Sequence, residues 1–239
     1  MGRVGRMLAI GSLFSGIGGL ELGLEMAGLG PVVWQVERDK FCQAVLAKHW
    51  PTAERFDDVC TVGAANLAPV HLICGGFPCQ NTSRANSGGT RSGLAGGSSG
   101  LWSEFARVVG ELRPAFVIVE NVASGAELWF DTVVSDLEFL DYGCLPLPIE
   151  AQDVGAPHER ARVFVVARHA DARSKPVVAV DAQVAHMSSA PGRFPGWSAR
   201  PDLRVDDVVP GGLARLGNAV MPAQAEVVGR LIRELLEAP

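Results

Sequence analysis

Two residues in this sequence have the type and setting for covalent chemistry, Cys79 and Glu120. Cys79 closes the run Val70-His71-Leu72-Ile73-Cys74-Gly75-Gly76-Phe77-Pro78-Cys79. Its apolar residues predict a core strand, and Gly75, Gly76 and Pro78 then turn the chain sharply. Cys79 is thereby presented just past the strand's carboxyl end, where open α/β sheets place their ligands. A thiol there suits a nucleophile. Taken alone, it also suits a small apolar side chain packed under a loop. Glu120 follows an apolar strand, Phe116-Val117-Ile118-Val119. If the two strands are neighbours, thiol and carboxyl face one pocket. A carboxyl leaving an apolar run should have a raised pKa, which suits a proton donor. Arg160 and Arg162 flank the start of a later strand and could steer an anionic or carbonyl-bearing ring into that pocket.

A second group points to a nucleoside. Phe14-Ser15-Gly16-Ile17-Gly18-Gly19 lies between a strand and a helix, where glycines admit close backbone approach and leave helix-end N–H groups free. Glu37 ends the next strand, about 20 residues on, where a carboxylate can accept from both ribose hydroxyls. The third glycine of a dinucleotide fingerprint is missing, so S-adenosylmethionine suits the turn better than NAD. Asp58 is a candidate partner for an adenine amino group, and equally a loop or helix-capping carboxylate.

These residues need elements to hold them. The pattern predicts strands over 7–13, 31–36, 70–74, 115–119, 142–149 and 162–167, and helices over 20–27, 40–50, 101–112, 128–140 and 223–236. Strand and helix alternate through residue 120, which implies right-handed crossovers and a Rossmann-like, doubly wound, mostly parallel α/β sheet. Residues 81–100 form a long Gly/Ser-rich loop. Residues 171–210, rich in Pro, Gly, Ser, Ala and Arg, read as a small irregular insert. The expected division is a catalytic and cofactor-binding domain over 1–170, a reduced target-recognition insert over 171–210, and a segment over 211–239 that returns to the catalytic domain.

Bulk composition narrows the classes. No apolar run approaches the ~20 residues that span a membrane, so no membrane partner is expected. The five cysteines are odd in number and lack paired C-x-x-C spacing, so neither a disulfide framework nor a metal site is expected and a cytoplasmic location is. A net charge of −5 argues against binding nucleic acid by charge alone. Between Arg160 and Arg204, however, eight Arg and Lys face three Asp, so that stretch could meet phosphate.

Taken in order, the motifs resemble those of the DNA (cytosine-5)-methyltransferases: Leu13 to Gly19; Glu37; Asp58-Val59; Gly75-Gly76-Phe77-Pro78-Cys79-Gln80; Ser99-Gly100-Leu101-Trp102; Glu120-Asn121-Val122; Arg160-Ala161-Arg162; and Leu216-Gly217-Asn218-Ala219-Val220-Met221-Pro222. The resemblance covers nearly the whole chain. It implies that Cys79 attacks carbon 6 of a flipped-out cytosine while Glu120 holds ring nitrogen 3, with Arg160 and Arg162 beside them. It implies S-adenosyl-L-methionine on Phe14, Ser15, Gly16, Ile17, Gly18, Gly19, Glu37, Arg38, Asp58, Val59, Pro78, Leu101, Asn218, Ala219 and Val220. It implies double-stranded DNA against Gln80, Ser83, Arg84 and Arg91, with 81–100 as a closing loop, in the manner of restriction-modification enzymes. Two departures stand out. His158 replaces the family's usual Gln, and only 45 residues separate Ala170 from Leu216, which leaves little protein to read base edges. That shortage keeps open a partner subunit for target recognition, a cofactor-binding DNA-binding module without turnover, and a related enzyme with an RNA target or another donor.

Overall fold

The computed structural model describes residues 8–78, 101–171 and 219–237. Seven strands form one sheet in the order β3-β2-β1-β4-β5-β7-β6. They are β1 (Ile10–Leu13), β2 (Val32–Val36), β3 (Glu54–Phe56), β4 (Leu72–Gly75), β5 (Phe116–Val122), β6 (Tyr142–Ile149) and β7 (Arg162–His169). The helices are α1 (Gly19–Met26), α2 (Lys40–His49), α3 (Trp102–Leu112), α4 (Phe130–Phe139) and α5 (Pro222–Glu237). Strands β1 to β5 pair in parallel, while β7 pairs antiparallel with both β5 and β6. The mostly parallel α/β sheet expected from the alternation is therefore present.

The central strands are buried on both faces, so they read as continuous apolar runs. Along β5, Phe116 and Ile118 join Leu20 and Leu24 of α1 and Val228 and Ile232 of α5. Val117 and Val119 join Phe105 of α3 and Val133 of α4. The strand's two-residue period thus sends successive side chains into different cores. Gly11 is required in β1 because a Cβ there would stand 2.0 Å from the indole of Trp34, which is fully buried.

Several elements differ from expectation. β1 begins at Ile10, because Gly30 N–H takes the Leu8 carbonyl and Ile10 N–H takes that of Pro31 before regular pairing starts. β4 is shifted to Leu72–Gly75. β3 has no periodic signal, since three residues at a sheet edge are too short to show one. β5 runs three residues beyond Val119, because β7 continues the ladder after β4 has stopped at Gly75. Pro146 and Pro148 are tolerated in β6 because it is an edge strand. No described helix is long and apolar enough to cross a membrane.

Candidate active site

The strand order reverses between β1 and β4, and the turns after these two strands leave in opposite directions, opening a crevice at the sheet's carboxyl edge. Phe14 to Gly18 line one side. Gly16 and Gly18 have positive φ (57° and 88°), and so does Phe14 (56°), a strained setting for a side chain and one often found at functional turns. Phe14 is held there by stacking on Phe105, with ring centroids 6.5 Å apart. Glu37 lies across the turn. Its carboxylate accepts from Gly16 N–H and Asp39 N–H, both at 2.7 Å. The acid thus anchors the glycine turn to the end of β2, and each oxygen keeps a further lone pair.

Asp58 follows β3 and is exposed; its carboxylate accepts Cys60 N–H at 2.9 Å and caps a short 3₁₀ turn, Val59–Thr61. The capping alternative for Asp58 is therefore real. Val59 is buried beneath the turn, Arg38 is exposed beyond β2, and Leu101 is half-buried at the start of α3. Residues 219–220 close over the opposite side. A Cβ on Gly19 would stand 2.0 Å from the Val220 carbonyl oxygen, and Arg160 donates to the Ala219 carbonyl.

Glu120 sits one residue past the last β4–β5 rung, paired with Phe164 of β7. It is 6% exposed and its Oε1 lies 2.8 Å from Arg162 Nε. A Cβ on Gly76 would stand 2.6 Å from Glu120 Oε2, so the glycine admits the carboxyl. Burial pushes the Glu120 carboxyl above its ordinary range, against the opposing pull of Arg162 and Arg160. The strand carrying the carboxyl and the strand leading to Cys79 are indeed neighbours. Arg162 arrives because β7 is antiparallel, so its first residue lies at the edge where β5 ends.

Three supporting residues carry no assigned role in the sequence reading. Asn121 points to the face opposite Glu120; it donates to the Phe77 carbonyl at 3.3 Å and accepts Val122 N–H at 2.8 Å. It thereby holds the turn that ends at the half-buried Pro78. Phe77 is further clamped between Trp102 and Trp129, with centroids 5.6 and 5.9 Å away. Arg107 of α3 donates to the carbonyls of Val59 and Val62 at 3.0 and 2.9 Å, fixing the turn that carries Asp58. It also pairs with Glu104 and Glu111 at i,i+3 and i,i+4 on its own helix. Glu21 is the third. It is fully buried under the glycine turn, and helical apolar spacing gave no sign of it.

Cys74 of β4 is fully buried, and burial pushes its thiol well up, so it is no nucleophile. Cys79, Gln80, Ser83, Arg84, Arg91 and Asn218 lie outside the described residues, as do 81–100 and nearly all of 171–210.

Comparison with known proteins bears on the same edge of the sheet. The Type II methyltransferase M2.BsuMI of Bacillus subtilis is 33% identical over 164 residues, covering 65% of this chain and 41% of that protein. M.HhaI of Haemophilus parahaemolyticus is 30% identical over 158 residues, covering 64% of this chain and 47% of that protein. A crystal structure of a prophage-encoded candidate DNA modification methyltransferase from E. coli superposes with a TM-score of 0.55 at 31% identity, over 68% of this chain and 47% of that one. The chain thus spans less than half the length of each. The family model for C-5 cytosine-specific DNA methylase matches residues 8–195, which include the glycine turn, strands β4 and β5 and the arginine pair. A match of that extent, laid over this arrangement of the sheet edge, makes the chain a member of the C-5 cytosine-specific DNA methylase family.

Proposed function

We propose that this chain transfers a methyl group from S-adenosyl-L-methionine to carbon 5 of a cytosine in double-stranded DNA, with Cys79 as nucleophile. One observation carries the reading: Glu120 is buried, ion-paired to Arg162 and seated against Gly76, three residues before Cys79.

The roles follow from the chemistry of the ring. Cys79 sulfur forms a bond to carbon 6. The Glu120 carboxyl, which burial biases toward its protonated form, shares its proton with ring nitrogen 3, so negative charge does not build up. Carbon 5 thereby becomes nucleophilic. Loss of the carbon-5 proton to solvent after transfer re-forms the 5,6 double bond, the sulfur–carbon 6 bond breaks to return Cys79 as its thiolate, and ring nitrogen 3 hands its proton back to Glu120. Arg162 orients the Glu120 carboxyl and offers N–H groups to the ring carbonyl. Arg160, tied to Ala219, holds the lead-in to α5 over the crevice. A stacked cytosine cannot reach these groups, so the base must leave the helix.

The described residues fit the cofactor. Glu37 and Asp58 offer acceptors on the β2–β3 side for ribose and adenine, and the turn over Gly16, Gly18 and Gly19 leaves backbone uncovered. When bound there, the cofactor supplies an electrophilic methyl group. We read Phe14 to Gly19, Arg38, Val59, Pro78, Leu101, Asn218, Ala219 and Val220 as the rest of its shell, and Gln80, Ser83, Arg84 and Arg91 as DNA contacts. Residues 1–170 and 211–239 form one catalytic unit in this reading, with 171–210 as the target-reading insert. The packing of α5 on α1 supports that return.

The test is to express the chain in a host lacking cytosine methylation and measure 5-methylcytosine in digested DNA. Signal from the wild type and none from Cys79→Ser is expected. Equal signal from both overturns the assignment. A covalent adduct with 5-fluorocytosine DNA separates an enzyme from a module that only binds.

A further inference from the structure

We propose that Glu21 receives the ammonium group at the amino-acid end of the cofactor; the inference rests on the cofactor reading above. A small cleft runs from the glycine turn to Glu120, lined by Ser12, Ser15, Glu21, Gly76, Glu120 and Val220 among others. Glu37 and Asp58 do not line it, so it is the part of the crevice beyond the nucleoside. Glu21 reaches it from the first turn of α1 and is 0% exposed. Its Oε1 accepts a long contact from Gln35 Nε2 at 3.4 Å, and its Oε2 has no hydrogen-bond partner.

A buried carboxylate oxygen without a donor is costly, and native structures keep one where a ligand supplies the donor. Glu120, the other carboxylate in the cleft, already has Arg162, whereas none of the described ion pairs includes Glu21. The ammonium is the cationic hydrogen-bond donor of the cofactor, since a sulfonium carries no N–H. The remaining polar groups facing Glu21 are neutral: the Ser12 and Ser15 hydroxyls, Gln35, and the Cys74 thiol. The Ser15 hydroxyl donates to Ser12 Oγ at 2.9 Å and the Ser12 proton is left to face the Glu21 carboxyl, so the protein brings this carboxyl neutral donors and no cation. Burial raises the Glu21 carboxyl above its ordinary range. An arriving ammonium favours the charged form, so binding releases a proton when the free protein holds it.

The experiment crosses two proteins with two ligands. Wild type and Glu21→Gln are titrated calorimetrically with S-adenosylhomocysteine and with its analogue lacking the amino group. Loss of a charge-assisted hydrogen bond predicts a drop of about 10–100-fold for S-adenosylhomocysteine in Glu21→Gln, and no more than about twofold for the deaminated ligand. Proton release, read from two buffers of different ionisation enthalpy, should vanish in the variant. Equal losses for both ligands would mean a merely structural carboxyl and overturn the proposal. If Glu21→Gln does not fold, the wild type alone decides: equal affinity for the two ligands overturns it. Failure of the wild type to bind S-adenosylhomocysteine at all would instead overturn the cofactor reading, and the Glu21 assignment with it.

Discussion

Glu120 shows how one residue's surroundings set its chemistry. Four apolar residues precede it, and that alone argued for a raised pKa. The structure adds the opposing partners, Arg162 at 2.8 Å and Arg160, and burial still prevails. If the protonated carboxyl is the working form, turnover falls as pH rises through the raised pKa. Arg162 favours the charged form, so Arg162→Ala should move that alkaline limb to higher pH. Glu120→Gln should lower kcat by about 10²–10⁴-fold and flatten the limb. A pH profile of kcat for the three proteins checks both. An alkaline limb that stays in place in Glu120→Gln would assign it to another group. Asn121 makes a complementary point. It adjoins Glu120 in sequence, yet the strand period sends it to the other core, where it holds the Phe77 carbonyl.

At the scale of elements, the site depends on close approaches that only glycine permits. Gly19 opens α1 directly beneath residues 219–220, and a Cβ there would meet the Val220 carbonyl at 2.0 Å. Backbone cannot step aside as a flexible side chain can. Gly19→Ala should therefore destabilise the fold by roughly 1–3 kcal/mol and loosen the lead-in to α5. Gly16 has a positive φ but open space around it. Its Ala variant should cost only the left-handed backbone penalty, about 1 kcal/mol. Urea denaturation of the two variants measures the difference, and equal losses would show that the contact with Val220 yields easily. The helices and most strands were legible because their apolar periods are long. Strand β3 was not, and neither was the antiparallel course of β7, since direction in a sheet leaves no mark on the strand's own period.

For the whole molecule, the described residues build one doubly wound sheet whose carboxyl edge gathers the glycine turn, Glu120 and the arginine pair. The chain belongs to the C-5 cytosine-specific DNA methylase family and spans about half the length, or less, of the relatives it matches. On the proposed reading, the 45 residues between Ala170 and Leu216 are those left to read a target. Base-edge reading needs side chains in the major groove, so a short or relaxed methylation context is expected. Sequencing of methylated cytosines in DNA exposed to the protein checks this. A long, strictly read site would show that the contacts come from elsewhere, such as a partner subunit.

The sequence by itself determined the class of sheet, the glycine turn, Glu37, Glu120 and the two arginines, because each is written as a local pattern: a period, a turn residue or a strand terminus. Only the tertiary structure decided that Arg162 meets Glu120, that Asn121 and Arg107 brace the two loops, and that Glu21 is buried with an unpartnered oxygen beneath the turn. Those facts arise from strand order, strand direction and packing between residues far apart in the chain, and no local pattern encodes them.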